Sequence, residues 1–226
     1  MKTSNIIIIA FATFIIGGML YLSVDAKNHK KCNIKIETVY TKEFPLSEFS
    51  VIVAEKGSDL HIDPSDITKM TVEYIKGKKA PSKMYEVVND TLHVYGGLRT
   101  FVQCNKIATI IGNKPFWVGV NNFTPDSLSV KVHGGSIYVD NSGTKEKSLN
   151  IGIIATDSAY VEISNAKLHN LSVISDNAQV RNNCNVNSAN VRLLHKAKFS
   201  SIDRIGTLLV KKDTSCHIGI SYQDSY

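Results

Sequence analysis

A spacing of 19 residues recurs in the C-terminal half of the chain and limits the folds that this sequence can adopt. Each copy has a small residue, a variable residue and an apolar residue, and the small residues are Ala159, Ala178, Ala197 and Cys216. A second apolar column passes through Ile151, Leu171, Ala189 and Leu208. Short strand-like copies at this period indicate a solenoid, in which each copy buries its apolar side against the next.

Alternating apolar and polar residues dominate the sequence from Glu48 onward, as in Phe49-x-Val51-x-Val53. A period of two is typical of strands with one inward face, and beyond the N-terminal apolar run no stretch has a helical stripe. The sequence therefore predicts an all-β, right-handed parallel β-helix of about five coils over residues 127–222, preceded by a strand-rich N-terminal cap. A β-sandwich is the alternative fold.

The one long apolar run, residues 6–22, contains no charged residue. Its length is the lower limit for crossing a bilayer and exceeds the usual apolar core of a cleaved signal peptide. We therefore expect a single membrane-spanning helix, with cleavage after Ala26 as the alternative. The predicted boundaries are 1–26 for the anchor or signal peptide, 27–46 for a basic tether, 47–222 for the folded domain and 223–226 for a tail.

The orientation of this anchor is predicted from two opposing signals. Lys27, Lys30 and Lys31 outnumber the positive charges before the run, and the positive-inside rule would then place the folded domain in the cytosol as a membrane sensor. However, an N-terminal signal-like run directs most chains outward, and long domains cross membranes largely regardless of charge. We expect the domain to face the periplasm or the cell exterior, or to be secreted after cleavage.

The net charge of +6 is concentrated in the predicted tether. Residues 27–42 carry +4, which leaves only +2 on the residues from Glu43 onward. A nucleic-acid-binding domain needs a clustered basic face. The distribution of charge therefore argues against a nucleic-acid partner.

The chemistry-bearing residues do not form a recognisable catalytic or metal-binding motif. The four cysteines, Cys32, Cys104, Cys184 and Cys216, contain no C-x-x-C pair, and buried thiols are favoured over a disulfide bridge. The seven histidines lack zinc-site spacing, and no phosphate-binding loop or nucleophile motif is present. We expect no cofactor, no metal ion and no enzymatic activity.

Residues that are 19 positions apart are expected to occupy equivalent positions on successive coils. This spacing predicts which outward side chains lie on one strand face. The predicted row comprises Tyr160, Gln179, Lys198 and His217. It is a candidate contact surface for a glycan or an envelope protein, although a solvated strand surface is the simpler interpretation. The aromatic segment Phe116-Trp117-Val118 is expected to cap the solenoid core, with sugar binding as the alternative.

The same 19-residue spacing places Asp157, Asp176 and His195 at equivalent corners of successive coils, in a predicted corner column. Two carboxylates and an imidazole in line could ligate a cation or act as acid and base, which gives the alternative function of a polysaccharide-active enzyme. Asp and Asn are also favoured at turns because they hydrogen-bond to their own backbone. The turn role is the favoured interpretation.

The order of these segments resembles the Bacteroidetes auto-transporter adhesin head family known as the GIN domain (DUF2807). The resemblance rests on Val87 to Val94, on Leu128 to Val139 and on the four 19-spaced copies. Members combine an N-terminal membrane segment or signal, a strand-rich start and a β-helix of repeated Leu-x-Leu-x-x-small-x-Val stretches. The resemblance implies a non-enzymatic, membrane-tethered β-helix of the cell envelope, with an adhesin-like binding or structural role and an undefined ligand.

Overall fold

The computed structural model describes residues 39–75, 83–96, 98–123, 125–140 and 148–221. These residues belong to the second of two units in the chain, Val39–Tyr226. The predicted anchor or signal peptide, the basic tether up to Thr38 and the tail lie outside the described residues. Within the described ranges, no helix is long and apolar enough to span a membrane.

The described residues form 17 strands and no helix. The N-terminal strands are β1 Val39–Pro45, β2 Val51–Ala54, β3 Asp59–Pro64, β4 Lys69–Ile75, β5 Tyr85–Val88, β6 Thr91–Val94, β7 Arg99–Cys104, β8 Thr109–Asn113 and β9 Trp117–Asn121. The C-terminal strands are β10 Ser127–His133, β11 Ser136–Asp140, β12 Ser148–Thr156, β13 Tyr160–Asp176, β14 Gln179–Leu194, β15 Lys198–Ser201, β16 Ile205–Lys212 and β17 His217–Ile220.

Five stacked coils make up the C-terminal half of the fold. The long strands β13 and β14 each have two arms, separated by a register shift after Ser164. One ladder, which we call face 1, joins β10, β12, the second arms of β13 and β14, and β16 in parallel. The other ladder, face 2, joins β11, the two first arms, β15 and β17 in parallel. The predicted β-solenoid of about five coils is confirmed.

The parallel ladders extend toward the N-terminus in an order that differs from chain order. On face 1, β2 lies between β6 and β8, and on face 2, β3 lies between β7 and β9. At the outer end, β5 pairs antiparallel with β6, β4 with β7, and β1 with β4. These antiparallel strands extend the two ladders at the N-terminal end, and β1 contains residues 39–45 of the predicted tether.

The inward side chains of both faces pack into one core. Val161, Val180 and Phe199 occupy equivalent positions on successive coils and have no exposed surface. Ile218 continues this column on the last described coil. Neighbouring strands in a ladder lie about 4.8 Å apart, so each residue contacts its equivalents directly. Burying a side chain of this size contributes about 1.5–3 kcal/mol.

A small residue follows each corner because the chain turns tightly there. Ala159 donates its backbone N–H to Thr156, and Ala197 donates to Leu194, both at 3.1 Å. In each turn the two residues in between have positive φ angles, a conformation that few residues other than glycine adopt readily. The alanines themselves are buried against the core, which accounts for the recurring small residue.

The cysteines of the described residues are free thiols. Cys104, Cys184 and Cys216 are all buried, which confirms the expectation of buried thiols for these three, while Cys32 lies outside the described residues. Burial raises the pKa of the Cys104 and Cys184 thiols to about 12. These two thiols stay protonated at neutral pH and therefore lack the reactive thiolate form.

Replacing Val180 or Phe199 with Asp should unfold the domain, because an unpaired carboxylate would enter a fully buried position. We expect a loss of about 4 kcal/mol or more in the free energy of unfolding. The measurement is urea denaturation followed by circular dichroism. The outward neighbours provide matched controls: Gln179→Ala and Lys198→Ala should change stability by less than about 0.5 kcal/mol. Equal damage from the control substitutions would contradict the assignment of inward and outward sides.

Candidate functional site

The predicted contact row lies on the outer side of face 2. The strand register places Tyr160 opposite Gln179, Gln179 opposite Lys198, and Lys198 opposite His217. Gln179, Lys198 and His217 are exposed, whereas Tyr160 is half-buried. The structure therefore brings all four side chains into one continuous outward row.

Above Tyr160 the outer side of face 2 carries a stack of five aromatic rings, which we call the aromatic ladder. Its successive ring centroids are 4.8 Å apart for Phe101 and His61, 4.4 Å for His61 and Trp117, 5.7 Å for Trp117 and Tyr138, and 5.6 Å for Tyr138 and Tyr160. The five residues come from five neighbouring strands. Aromatic pairs of this kind contribute about 0.5–1.5 kcal/mol each beyond their buried area.

Gly119 makes the aromatic ladder continuous. In the strand register it lies between His61 and Tyr138. A Cβ atom at Gly119 would lie 1.9 Å from the indole of Trp117, so the indole occupies the space above the glycine. The missing side chain lets Trp117 bridge the rings on either side.

The expected role of Phe116-Trp117-Val118 as a cap on the solenoid core is wrong for its two aromatic residues. Phe116 is 75% exposed, and Trp117 stacks with outward rings, so only Val118 enters the core. The physical reason is the strand alternation. Trp117 precedes an inward valine and therefore points outward.

The ring pairs of the aromatic ladder are of two kinds. The interplanar angle is 18° for His61 and Phe101 and 25° for Trp117 and Tyr138, which are stacked pairs. It is 44° for His61 and Trp117 and 52° for Tyr138 and Tyr160, which are tilted pairs. Both geometries are favourable for aromatic rings, so the aromatic ladder stabilises face 2.

One end of the aromatic ladder holds a neutral histidine. Arg99 donates a hydrogen bond from Nε to Nε2 of His61 at 3.0 Å. Burial, and then the positive charge of Arg99, lower the pKa of His61, while the carboxylates of Asp59, Asp63 and Glu73 partly oppose this change. The hydrogen bond requires an unprotonated Nε2, so the neutral form of His61 is the one that fits the ladder.

The other end of the aromatic ladder is fixed by a polar network. Tyr160 donates its hydroxyl to Glu162 at 2.5 Å, Asn183 donates to Glu162 at 2.7 Å, and Arg181 donates to Asn183 at 3.1 Å. Burial and the bond to Glu162 raise the pKa of Tyr160 to about 12. Tyr160 is therefore a neutral hydrogen-bond donor at physiological pH.

The predicted corner column is divided in the structure. His195 contacts Asp176 at 2.7 Å between Nδ1 and Oδ1. Asp157 contacts His133 instead, at 2.8 Å. The structure therefore brings together two of the three predicted residues, Asp176 and His195, whereas Asp157 contacts a residue of the preceding coil.

The strand register shows why the three corner residues are not equivalent. Thr156 pairs with Asp176, and Asp176 pairs with Leu194, which are steps of 20 and 18 residues. Asp176 is thus the last residue of its strand, whereas Asp157 and His195 are the first left-handed residues of two-residue turns. The 20- and 18-residue steps of the second apolar column were the sequence signal for this difference.

The corner side chains are engaged in turn contacts. Asp213 accepts hydrogen bonds from the hydroxyl and the backbone N–H of Ser215 and from the backbone N–H of His195. The Ser215 hydroxyl, the Cys216 thiol and the His195 backbone N–H hold the pKa of Asp213 far below its usual value. In the part of the chain that the structure describes, no group of three His, Cys, Asp or Glu side chains is placed to hold a metal ion.

A second surface, which the sequence analysis missed, lies on the outer side of face 1. It is a groove of about 650 Å³, which we call the face 1 groove. Its lining includes Ser172, Ile174, Asn190, Arg192, Leu209, Lys211 and Asp213. The groove crosses three neighbouring strands, β13, β14 and β16. Its volume lies within the range of about 300–1,000 Å³ that is usual for ligand sites.

The side chains along the face 1 groove combine exposed aliphatic and cationic groups. The register runs from Ile154 to Ile174, then to Arg192 and Lys211. Ile154 is 42% exposed, Ile174 is 40% exposed and Leu209 is 55% exposed. In the sequence, Ile154 and Ile174 each directly follow an inward apolar residue. Two adjacent apolar residues within a strand were the available sequence signal for this exposed surface.

Lowering the pH from 7 to 5 should destabilise the fold partly through His61. The unfolded chain protonates near the ordinary histidine pKa of about 6.5, whereas the folded protein protonates His61 only at lower pH. The unfolded state therefore binds more protons below about pH 6.5, and the free energy of unfolding falls as the pH decreases. The measurement is urea denaturation followed by fluorescence of Trp117, the single tryptophan.

The variant His61→Phe is the matched control, because it keeps a ring in the aromatic ladder and removes the titration. We expect it to lose less stability between pH 7 and pH 5 than the unmodified protein does. Other titrating groups are common to both proteins and cancel in the comparison. An equal or greater loss in the variant would contradict the role of His61.

A solved structure shares this fold, whereas no family model and no curated protein matches the chain. The structure is similar to that of a "putative adhesin" from Bacteroides fragilis, with a TM-score of 0.56 and 11% identity over 81% of this chain and 97% of that one. A "putative adhesin" from Parabacteroides distasonis aligns with a TM-score of 0.45 and 11% identity, over 82% of this chain and 98% of that one. At these identities the first likeness shows a common fold.

Proposed function

We propose that this protein is a non-enzymatic, membrane-tethered and adhesin-like binding module of the cell envelope, with the β-helix of the GIN domain (DUF2807) family in its right-handed form. In this proposal, residues 6–22 anchor the chain, and the folded domain faces the periplasm or the cell exterior. The proposal is supported by the charge-free apolar run. It is also supported by the fold shared with the "putative adhesin" from Bacteroides fragilis.

The observation that carries the binding role is the face 1 groove. Ile174 and Leu209 are large aliphatic side chains that remain exposed beside the cations Arg192 and Lys211. Exposed apolar side chains grouped on one surface are typical of interaction sites. The strands beneath are paired on both sides in β13 and β14, so the surface is held in a fixed shape before a ligand binds.

The outward row on face 2 is proposed as a second, weaker contact surface for a glycan or an envelope protein. Gln179, Lys198 and His217 are exposed along it, but the groove volume and the exposed aliphatic side chains lie on face 1.

The corner residues favour no enzyme, because Asp157 is paired with His133 and not with Asp176. We therefore do not propose a polysaccharide-active enzyme.

The proposed location predicts that a protease added to intact spheroplasts will cut the segment before residue 39 and release the folded domain. The measurement is an immunoblot of the pellet and the supernatant, with a cytoplasmic protein as the control for intact membranes. A domain that remains fully protected until the spheroplasts are lysed would refute export.

The proposed binding role predicts that the full chain, in a neutral detergent, co-sediments with insoluble cell-wall material of the producing cells. The double variant Ile174→Ser with Arg192→Gln should lower the bound fraction at least fivefold, since it removes one exposed aliphatic group and one cation from the face 1 groove. The matched control, Ile67→Ser with Lys167→Gln, removes one exposed aliphatic group and one cation outside both proposed contact surfaces. It should bind as well as the unmodified chain. Absence of any co-sedimentation would overturn the binding role.

A further inference from the structure

We infer that the face 1 groove binds an acidic glycan and that Arg192 and Lys211 recognise the carboxylates of its uronic-acid units. The inference rests on the proposed binding function, because it names the class of ligand for the same groove. It is argued from the charges, the polar side chains and the aliphatic side chains of the groove.

The positive charges of the face 1 groove favour the binding of an anion. Arg192 and Lys211 lie directly opposite each other on β14 and β16, and like charges in this position destabilise a sheet. Among the described residues, neither forms an ion pair. A carboxylate between the two side chains would remove this repulsion, and the guanidinium of Arg192 has the planar fork that binds a carboxylate through two hydrogen bonds.

The carboxylates nearest along these strands are already engaged. Asp176 contacts the imidazole of His195 at 2.7 Å. Asp213 also lines the groove, and it accepts hydrogen bonds from Ser215 and from the backbone of His195. The cations of the face 1 groove therefore remain available for an external anion.

Neutral polar side chains lie beside the cations and suit the hydroxyl groups of a sugar chain. Ser172 and Asn190 line the groove, and Ser188 and Thr207 lie opposite each other in the next outward row. All four are exposed. Hydroxyl and amide groups act as both donors and acceptors, as ring hydroxyls do.

The aliphatic side chains distinguish a glycan from other anions. Ile174 and Leu209 offer apolar contact to the C–H faces of sugar rings next to the carboxylate site. A single-stranded nucleic acid would need aromatic platforms for its bases, and the groove lining contains none among the described residues. A lipid chain would leave the polar side chains of Ser172 and Asn190 without partners. The combination fits a hydroxyl-rich chain that carries carboxylates.

The experiment uses the full chain in a neutral detergent and a hexamer of galacturonic acid as the probe, with EDTA present to exclude bridging cations. Binding is measured by isothermal titration calorimetry. The fully methyl-esterified hexamer is the matched ligand control, since it keeps the sugar chain and removes the charges. We expect the acidic hexamer to bind at least tenfold more tightly than its ester.

The protein variants separate the groove from general electrostatic attraction. Arg192→Gln and Lys211→Gln should each weaken binding of the acidic hexamer about tenfold or more, as expected for a charge-assisted hydrogen bond. Lys167→Gln removes the same charge from an exposed position of β13 that belongs to neither proposed contact surface, and it should change the affinity less than twofold. All three residues are exposed, and unchanged circular dichroism spectra and melting temperatures establish that the variants are folded.

Three results would overturn the inference: no binding of the acidic hexamer, equal binding of its methyl ester, or equal weakening by Lys167→Gln. Tighter binding of a sulfated hexasaccharide than of the acidic hexamer would also overturn it, because carboxylate recognition is the specific claim. None of these results affects the cell-wall assay. If the face 1 double variant still loses co-sedimentation, the proposed function stands with a different ligand.

Discussion

Parallel backbone pairing between successive coils is the constraint on which the rest of the structure depends. From Tyr160 opposite Gln179 to Asp176 opposite Leu194, β13 and β14 pair along most of their length. Because strand side chains alternate between the two sides, this register sends Val161 and Val180 into the core and leaves Gln179 and Arg192 outside. A shift of one residue would exchange the two sets. The same strand register therefore determines both the core and the outer surfaces.

The two faces maintain this register with different numbers of residues between equivalent positions on successive coils. On face 2, successive equivalents such as Tyr160 and Gln179 are 19 residues apart. On face 1, the step from Thr156 to Asp176 is 20 residues and the next step, to Leu194, is 18. The chain absorbs the difference at the corners, where one turn has a single left-handed residue, Asn177, and others have two. The average period is preserved while individual corners vary.

The sequence could predict those parts of the fold that repeat. The inward column through Val180 and Phe199 and the outward row through Gln179 and Lys198 follow from the 19-residue period, and both have the predicted register. The aromatic ladder could not be predicted in this way, because His61 and Phe101 belong to coils whose spatial order differs from chain order. The contact between His133 and Asp157 could not be predicted from a constant period, because the corners are of unequal length. Arg192 continues the outward row of Ile154 and Ile174. Because Arg192 is a cation, a search for apolar repeats does not detect it.

The outer surfaces of the two faces use their outward positions differently. On face 2, Trp117 and Tyr138 stack along the axis, and Glu162 accepts hydrogen bonds from Tyr160 and Asn183. The outward groups there stabilise one another. On face 1, Arg192 and Lys211 repel each other across neighbouring strands, and exposed aliphatic side chains lie beside them. Since β13 and β14 contribute an arm to each face, the contacts that stiffen face 2 also hold the strands of face 1. A rigid scaffold can thus support an outer surface that is unfavourable for the isolated fold and becomes favourable when an anion binds.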